Sequence, residues 1–273
     1  MKSLYELIEG IYNRRELWDY YEHIKDNQST LDSLEDILSS ADKSKNFIDT
    51  YLVKGKKDES YILKNRIGNI IREDKAIHTF SIFFLGIYLY ENVDIIKKSI
   101  NKKIKRIKRK INKNTDETGV LINTHFSYIW FLICFYHDIA CDYEDNTEKL
   151  QSIENFQSVS SLSVSIPEFK KSIPDYYQDI WKSYFLYRLS CGKIDHGIFG
   201  GLLFYNDMRI NYENTKKQKG TNDENFELNG VYWSKEILEE VHAYVAWVIM
   251  AHNIWYIDKT DQNYAVYQKF GLD

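Results

Sequence analysis

Apolar residues recur at every third or fourth position along most of the chain. This spacing is clearest over residues 3–26, 31–38, 60–93, 120–141 and 234–256. Because a helix has 3.6 residues per turn, such a period gathers the apolar side chains on one face and predicts a helix in each segment. Only two prolines and twelve glycines interrupt the 273 residues. The pattern therefore predicts an all-α protein.

Two regions follow from the same pattern. Residues 1–55 are predicted to form an N-terminal helical region that packs on the core, and residues 56–273 a single multi-helix domain. A polar loop, Lys54–Asp58, marks the boundary between them. A chain of this length suits one large domain with such an extension.

Two polar stretches depart from the helical spacing. Residues 142–175 contain both prolines and are predicted to form short helices and loops over one end of the domain. The segment Asn211–Gly230 is also polar, and we expect it to be exposed and mobile, as long polar connections usually are.

One predicted helix is strongly basic. Ten Lys or Arg residues lie within residues 97–113, while isoleucines recur in steps of three or four from Ile96 to Ile111. This combination predicts an amphipathic helix. The favoured interpretation is a solvated outer face with one buried stripe of isoleucines. Binding of nucleic acid or another phosphate-rich partner through this helix is the alternative that is not favoured.

Composition narrows the class of protein. The net charge of −4 gives no overall attraction to nucleic acid or to an anionic membrane. Three cysteines cannot form a fully paired disulfide framework, and the N-terminus lacks the apolar core of a signal peptide. No apolar run approaches the roughly 20 residues that a membrane span needs. We therefore expect a reduced, cytoplasmic protein without a membrane partner, and the sequence does not fix its oligomeric state.

A histidine followed directly by an aspartate supplies the first candidate chemistry. His137 and Asp138 come just after Phe126–Phe135, the most apolar segment of the chain. Burial of two adjacent ionisable groups is unfavourable unless they are paired. A divalent metal pairs well with a neutral imidazole and a carboxylate.

Three further histidines lie within or beside predicted helices at comparable intervals. His78, His137, His196 and His252 are separated by 59, 59 and 56 residues. A single histidine in such a place is more often a hydrogen-bonded core residue than a ligand. Four of them, one beside an aspartate, favour a shared site.

This ordered set resembles the HD-domain superfamily of metal-dependent phosphohydrolases. The resemblance covers about residues 60–260. It is carried by Arg72 with His78-Thr79, by His137-Asp138, by Asp195-His196 followed by Gly200-Gly201, and by Ala251-His252-Asn253.

The resemblance implies an HD-like helical bundle over residues 56–273, with the site between helices. His78, His137 and Asp138 would bind a first metal ion, and His196 and His252 would bind a second ion or contact phosphate. Asp138 would bridge the ions, and Asp138 and His196 would be the catalytic residues. The cofactor is then one or two divalent ions, drawn from Mn, Fe, Co, Ni, Zn or Mg.

The activity implied is hydrolysis of a nucleotide or another phosphate ester by a metal-activated water. Lys193 and Arg72 are the candidates for contact with the phosphate of this small-molecule substrate. The alternative is a catalytically degenerate protein of the same fold that binds a nucleotide, nucleic acid or a partner protein.

The family pattern also leads us to expect a closing aspartate on a helix after the last histidine. Asp258 and Asp261 follow His252 by only six and nine residues, in a polar stretch. We expect either that the chain is truncated before its closing helix or that the site is degenerate. Truncation is favoured, because the last residues resemble the start of a continuing chain.

Overall fold

The computed structural model describes residues 44, 48, 73–111, 122–144, 188, 194–219, 225–228 and 231–253. Most of these residues are helical, which confirms the predicted helical class, and a short hairpin is the exception among them. They belong to two compact units, Met1–Phe135 with Asp223–Ser234, and Tyr136–Asn222 with Lys235–Asp273. The predicted boundary near residue 55 lies outside the described residues and stays a prediction.

Among its described residues, the first unit has three helices of more than two turns. They are α1 (Glu73–Asn92), α2 (Asp94–Ile111) and α3 (Phe126–Tyr136), the last preceded by a 3₁₀ turn, Ile122–Thr124. Helix α1 lies within the segment predicted from residues 60–93. Helix α2 has Asp94 in its first turn and basic residues in its last turn, an arrangement that matches the helix dipole.

The core of this unit forms around α3, which is apolar on all sides. Tyr128, Phe131 and Leu132 are almost wholly buried. The ring of Phe131 meets Phe83 of α1 edge to face, with centroids 5.9 Å apart. Gly86 of α1 leaves room for the indole of Trp130, whose Nε1 donates a hydrogen bond to the carbonyl of Phe83 at 3.0 Å. The bulkiest side chains of α3 thus pack directly on the α1 backbone.

Helix α2 has the amphipathic character that the sequence predicts. Ile104, Ile107 and Ile111 are buried, whereas most of its Lys and Arg side chains are exposed. The buried isoleucine stripe is therefore confirmed.

A two-stranded antiparallel hairpin completes the first unit. Strand β1 (Phe226–Leu228) pairs with β2 (Val231–Trp233), with Phe226 opposite Trp233. Both of these rings are buried and lie nearly parallel, with centroids 6.3 Å apart. The aromatic pair anchors strands that are too short to be stable alone.

The prediction that Asn211–Gly230 is exposed is wrong for some of its described residues. Residues 211–219 continue a helix, and residues 226–228 form β1. Tyr212 and Phe226 are buried and tie both ends of the segment to packed structure. Polar residues dominate here because they cover the solvent face of a helix, which polarity alone does not distinguish from a loop.

The described part of the second unit includes two long helical segments and a short one. The short helix α4 (Cys141–Glu144) follows the His137-Asp138 doublet, and α5 spans His196–Lys219. Helix α6 (Lys235–Ile237), a π-helical turn (Leu238–His242) and α7 (Ala243–Ala251) form the other segment. This segment is the described part of the helix predicted over residues 234–256. Within the described ranges, no helix is long and apolar enough to cross a membrane.

Helix α5 packs closely on α7 through a glycine. A Cβ at Gly201 would lie only 2.5 Å from the carbonyl oxygen of Ala246 and would also clash with Met250. Behind this contact, Phe204 is fully buried and meets the ring of Tyr136 edge to face, with centroids 4.6 Å apart. Gly201, five residues after His196, therefore permits this close helix packing.

Adjacent glycines of α5 provide a matched test of this packing. Alanine should improve helix propensity by about 1 kcal/mol at either position. At Gly201 the added methyl meets backbone, and overpacking of this kind costs about 1–3 kcal/mol. At Gly200 its nearest neighbour is the Ile139 side-chain methyl at 3.3 Å. Urea unfolding should show Gly201→Ala to be less stable than Gly200→Ala, and equal stability of the two variants would contradict the close contact.

A buried histidine in the π-helical turn predicts a pH-dependent stability. His242 has no exposed surface, and burial lowers the pKa of its imidazole to about 3. Below its usual pKa of about 6.5, the unfolded chain binds a proton here that the folded chain does not. The contribution of neutral His242 to the free energy of unfolding is therefore complete above pH 6.5. It is lost as the pH falls from 6.5 towards 3, by about 2 kcal/mol between pH 7 and pH 5.

The comparison variant is His242→Phe, which cannot titrate and retains a ring to pack on Phe204. Urea unfolding at pH 7, 6 and 5 should show wild type losing stability relative to this variant at each step. Other ionisable groups are common to both chains, so their contributions cancel. Parallel stability curves would show that His242 is not buried as a neutral imidazole.

Candidate metal centre

The His137-Asp138 doublet lies in a turn directly after α3. The sequence predicts a helix through residue 141, but α3 ends at Tyr136 and that bound is wrong. Backbone hydrogen bonds from Ile139 N to Tyr136 O and from Cys141 N to Asp138 O close tighter turns instead. Gly200 of α5 makes room for this turn, since its Cβ would lie 3.4–3.5 Å from the carbonyl oxygens of residues 136 and 137. The change of direction presents both doublet side chains to the neighbouring helices of the second unit.

His196 occupies the first position of α5 because Asp195 caps that helix. The Asp195 carboxylate accepts a hydrogen bond from the Ile198 backbone N–H at 2.8 Å, the usual geometry of an N-cap. Asp195 is fully buried, and burial raises its pKa despite this hydrogen bond. Its other oxygen is 3.3 Å from the side-chain amide of Asn253. The Asp195-His196 pair thus combines a structural cap with a site residue.

The imidazole of His196 is oriented by a carboxylate. Its Nδ1 lies 2.7 Å from Oε2 of Glu144 in α4, and Glu144 also forms an ion pair with Arg188. A carboxylate held by an arginine accepts hydrogen bonds, so Nδ1 carries the proton. In the neutral form of the ring, Nε2 of His196 then carries the lone pair. Metal-binding histidines show this same arrangement of carboxylate, imidazole and metal.

His252 is oriented in a similar way by the backbone. It follows the last residue of α7, and its Nδ1 lies 2.6 Å from the carbonyl oxygen of Ile249. A carbonyl can only accept, so Nδ1 is the donor and Nε2 carries the lone pair. The ring lies against Gly197, where a Cβ would be 3.0 Å from Nδ1. A side chain at position 197 would therefore displace the His252 imidazole.

Three imidazole nitrogens meet at one carboxylate oxygen. Oδ1 of Asp138 lies 3.3 Å from Nε2 of His137, 3.7 Å from Nε2 of His196 and 3.9 Å from Nε2 of His252. The ligand atoms of Asp138, His196 and His252 all lie within 4.8 Å of one another, so these three residues could hold a metal ion. Bonds of about 2.0–2.2 Å at tetrahedral angles would place ligand atoms roughly 3.4 Å apart. The distances from Oδ1 of Asp138 to Nε2 of His196 and of His252 exceed this value by only a few tenths of an ångström.

The local electrostatics favour the protonation states that a metal requires. Burial raises the pKa of Asp138, but the nearby imidazoles of His137 and His196, a hydrogen bond from Cys141 and the imidazole of His252 outweigh it, so the pKa is lowered. Burial also lowers the pKa of His252. An ionised carboxylate beside a neutral imidazole is the form in which both groups coordinate metals.

The structure brings four of the predicted site residues together. His137, Asp138, His196 and His252 lie in one cluster of the second unit. His78 lies on α1 of the first unit with an exposed side chain, and its role as a ligand stays a prediction.

The remaining predicted residues cannot be placed. The predicted phosphate contacts Arg72 and Lys193, and the candidate closing ligands Asp258 and Asp261, lie outside the described residues. Their roles are therefore predictions from the sequence alone.

Sequence reasoning missed the residues that orient the histidines. Glu144 falls within residues 142–175, which the sequence predicts only as short helices and loops, and Arg188 carries no signal. Glu144 lies seven residues after His137, and this closeness to the doublet in sequence is the available indication. Asn253, whose amide lies 3.4 Å from Nδ1 of His196, was noted only as part of the family resemblance.

No protein-family model, curated protein or solved structure matches the chain. The functional argument therefore rests on the His and Asp side chains and on the hydrogen bonds that orient them. Within the second unit, Asp138, His196 and His252 form the group that fits one metal ion.

Metal titration with single variants tests this group. Calorimetry with Mn²⁺ or Co²⁺ should show binding to the wild type and a loss of at least tenfold in affinity for His252→Gln, which removes a ligand. Glu144→Gln should weaken binding by about 10–100-fold, because it removes only the orienting carboxylate.

The matched control is His125→Gln, the same substitution at a half-buried histidine of the first unit. It should bind the ion as the wild type does. Equal affinities for all four proteins, or no binding to the wild type, would contradict the assignment.

Proposed function

We propose that this chain is an HD-type metal-dependent phosphohydrolase that acts on a nucleotide or another phosphate ester. The observation that carries the proposal is the convergence of three imidazole Nε2 atoms on Oδ1 of Asp138. Two of those imidazoles, His196 and His252, have their Nδ1 atoms engaged elsewhere. In the neutral form of these two rings, Nε2 carries the lone pair, and a cation shared with the carboxylate would stabilise the arrangement. The HD-like bundle is part of the same proposal.

The ligand set selects a class of metal. Neutral imidazoles with a single carboxylate suit Mn²⁺, Fe²⁺, Co²⁺, Ni²⁺ or Zn²⁺ better than Mg²⁺, which prefers an all-oxygen shell. Asp138, His196 and His252 provide one position. His137, on the same carboxylate oxygen, would contribute to a second position.

Each residue of the cluster has a defined part in the proposed reaction. A bound divalent ion supplies an activated water and offsets the charge that develops on the phosphoryl oxygens. Asp138 holds the negative charge to which the histidines are oriented, and Glu144 fixes the ring of His196. The side chains of Asp138 and His252 are each about one quarter exposed, at 26% and 25%, so a phosphate ester can reach them from solvent.

The alternative is a degenerate protein of the same fold that binds a nucleotide, nucleic acid or a partner without hydrolysis. The two functions differ in turnover. The metal-binding residues are shared, so only an activity measurement separates them.

Phosphatase and phosphodiesterase assays provide this separation. With para-nitrophenyl phosphate and its bis-ester, wild type should turn over substrate in the presence of Mn²⁺, Co²⁺ or Ni²⁺. Asp138→Asn removes the shared anionic oxygen without changing side-chain volume. It should lower kcat/KM on the order of a hundredfold or more.

The control is again His125→Gln, which should retain wild-type activity. Full activity of Asp138→Asn would contradict the proposed centre. Metal binding without turnover of mono- or diesters, nucleotides included, would favour the degenerate alternative.

A further inference from the structure

Helix α2 presents a row of cations that the proposed metal centre does not use. We define its basic face as Lys98, Lys102, Lys105, Arg106, Arg109 and Lys110, all of which are exposed. Lys98 and Lys110 are twelve residues apart, so at 1.5 Å rise per residue the row is about 18 Å long. The face lies on the first unit, and the residues of the candidate centre described above lie on the second.

Charge is segregated onto this helix. Helix α2 holds nine basic residues and one acidic residue. The whole chain has 36 Lys and Arg against 40 Asp and Glu, so the remainder has 27 basic and 39 acidic residues. A strongly basic helix on an otherwise acidic chain is typical of a surface that meets a polyanion.

The arrangement is unfavourable for the helix itself. Residues 98 and 102, 102 and 106, 105 and 109, and 106 and 110 form pairs of like charge four positions apart. Each such pair destabilises a helix, because the two side chains are neighbours on its surface. A face that serves only solubility is better formed from interspersed charges of both signs. The repulsion along the basic face is relieved when anions bind to it.

The opposite side of α2 decides between two kinds of anionic partner. Ile104, Ile107 and Ile111 are buried in the protein. A helix that lies on a membrane instead inserts its apolar stripe into the lipid. Because these isoleucines are already packed, the basic face is suited to a polyanion in water.

The spacing of the cations fits a phosphate backbone. The basic face offers a cation at about every helical turn, or roughly 5.4 Å. Duplex DNA carries one negative charge per about 1.7 Å of axis, so a row of 18 Å can meet several phosphates. The face contains no aromatic residue on which an unpaired base could stack.

We infer that the basic face of α2 binds the phosphate backbone of nucleic acid without sequence preference. This inference goes beyond the proposed phosphohydrolase and does not depend on it. The partner is recognised by its phosphodiester charges, which DNA and RNA share. Separate binding measurements with DNA and with RNA distinguish these two partners.

Fluorescence anisotropy with a labelled 20-base-pair DNA duplex, and with an RNA duplex of the same length, tests the inference. Probe integrity is checked on a gel afterwards. Wild type should bind at 50 mM salt and weaken by about 10²–10³-fold at 200 mM, as expected for roughly five phosphate contacts. Lys102→Gln/Lys105→Gln should lower affinity on the order of tenfold per side chain and reduce the salt slope by about 2.

The matched control is Lys217→Gln/Lys235→Gln, which removes the same charge from exposed lysines of α5 and α6. It should bind as the wild type does. Equal weakening of both double variants would overturn the inference, because binding would then follow net charge and not this face. Anionic vesicles of phosphatidylserine and phosphatidylcholine provide the third arm, and binding to vesicles with none to either duplex would also overturn it.

The salt dependence of binding is measured on the wild type alone. It therefore tests the inference even if a variant fails to fold. A slope shallower than about −2 in a plot of log affinity against log salt would overturn it, since fewer than three phosphates would then be contacted. All substituted side chains are exposed, so circular dichroism should show unchanged helix content in both double variants.

Discussion

The second unit depends on an ionised carboxylate, Asp138, that is partly buried among imidazoles. Burial alone disfavours the charge of Asp138, and His137, His196 and His252 offset this effect. The offset depends on how the rings are oriented around Oδ1 of Asp138. Two hydrogen bonds, from His196 Nδ1 to Glu144 and from His252 Nδ1 to the Ile249 carbonyl, fix that orientation. Asp138, His196 and His252 could then hold one cation together.

Backbone geometry brings these side chains within reach of one another. Helix α3 stops before the doublet, and the α5 cap at Asp195 sets the position of His196. Gly197 gives the His252 ring its place, and Gly201 lets α5 approach α7. Small residues and tight turns therefore matter as much as the ligands. Interior packing transmits a displacement at any one of them to the others.

The helical class, the buried stripe of α2 and the clustering of four site residues could be predicted from the sequence. The spacing of hydrophobic positions indicates which face of a helix is buried. Two adjacent ionisable residues directly after an apolar segment indicate that other groups must pair with them. The ends of the helices were harder to predict from the sequence. The turn at His137 packs against Gly200, which is distant in sequence. The continuation of α5 past Asn211 is accompanied by burial of Tyr212. The local pattern of residues reports neither contact. Glu144 and Arg188 were missed because exposed and partnered charges look alike in a sequence.

Anomalous diffraction at the manganese edge, from crystals grown with Mn²⁺, tests the central claim most directly. The account predicts a peak bonded at about 2.0–2.2 Å to Oδ1 of Asp138 and to Nε2 of His196 and His252. In that structure the Nδ1 atoms of both histidines would still be engaged with Glu144 and the Ile249 carbonyl. A structure in which Asp138 and these imidazoles only hydrogen-bond to one another, with no anomalous peak between them at saturating Mn²⁺, would contradict it.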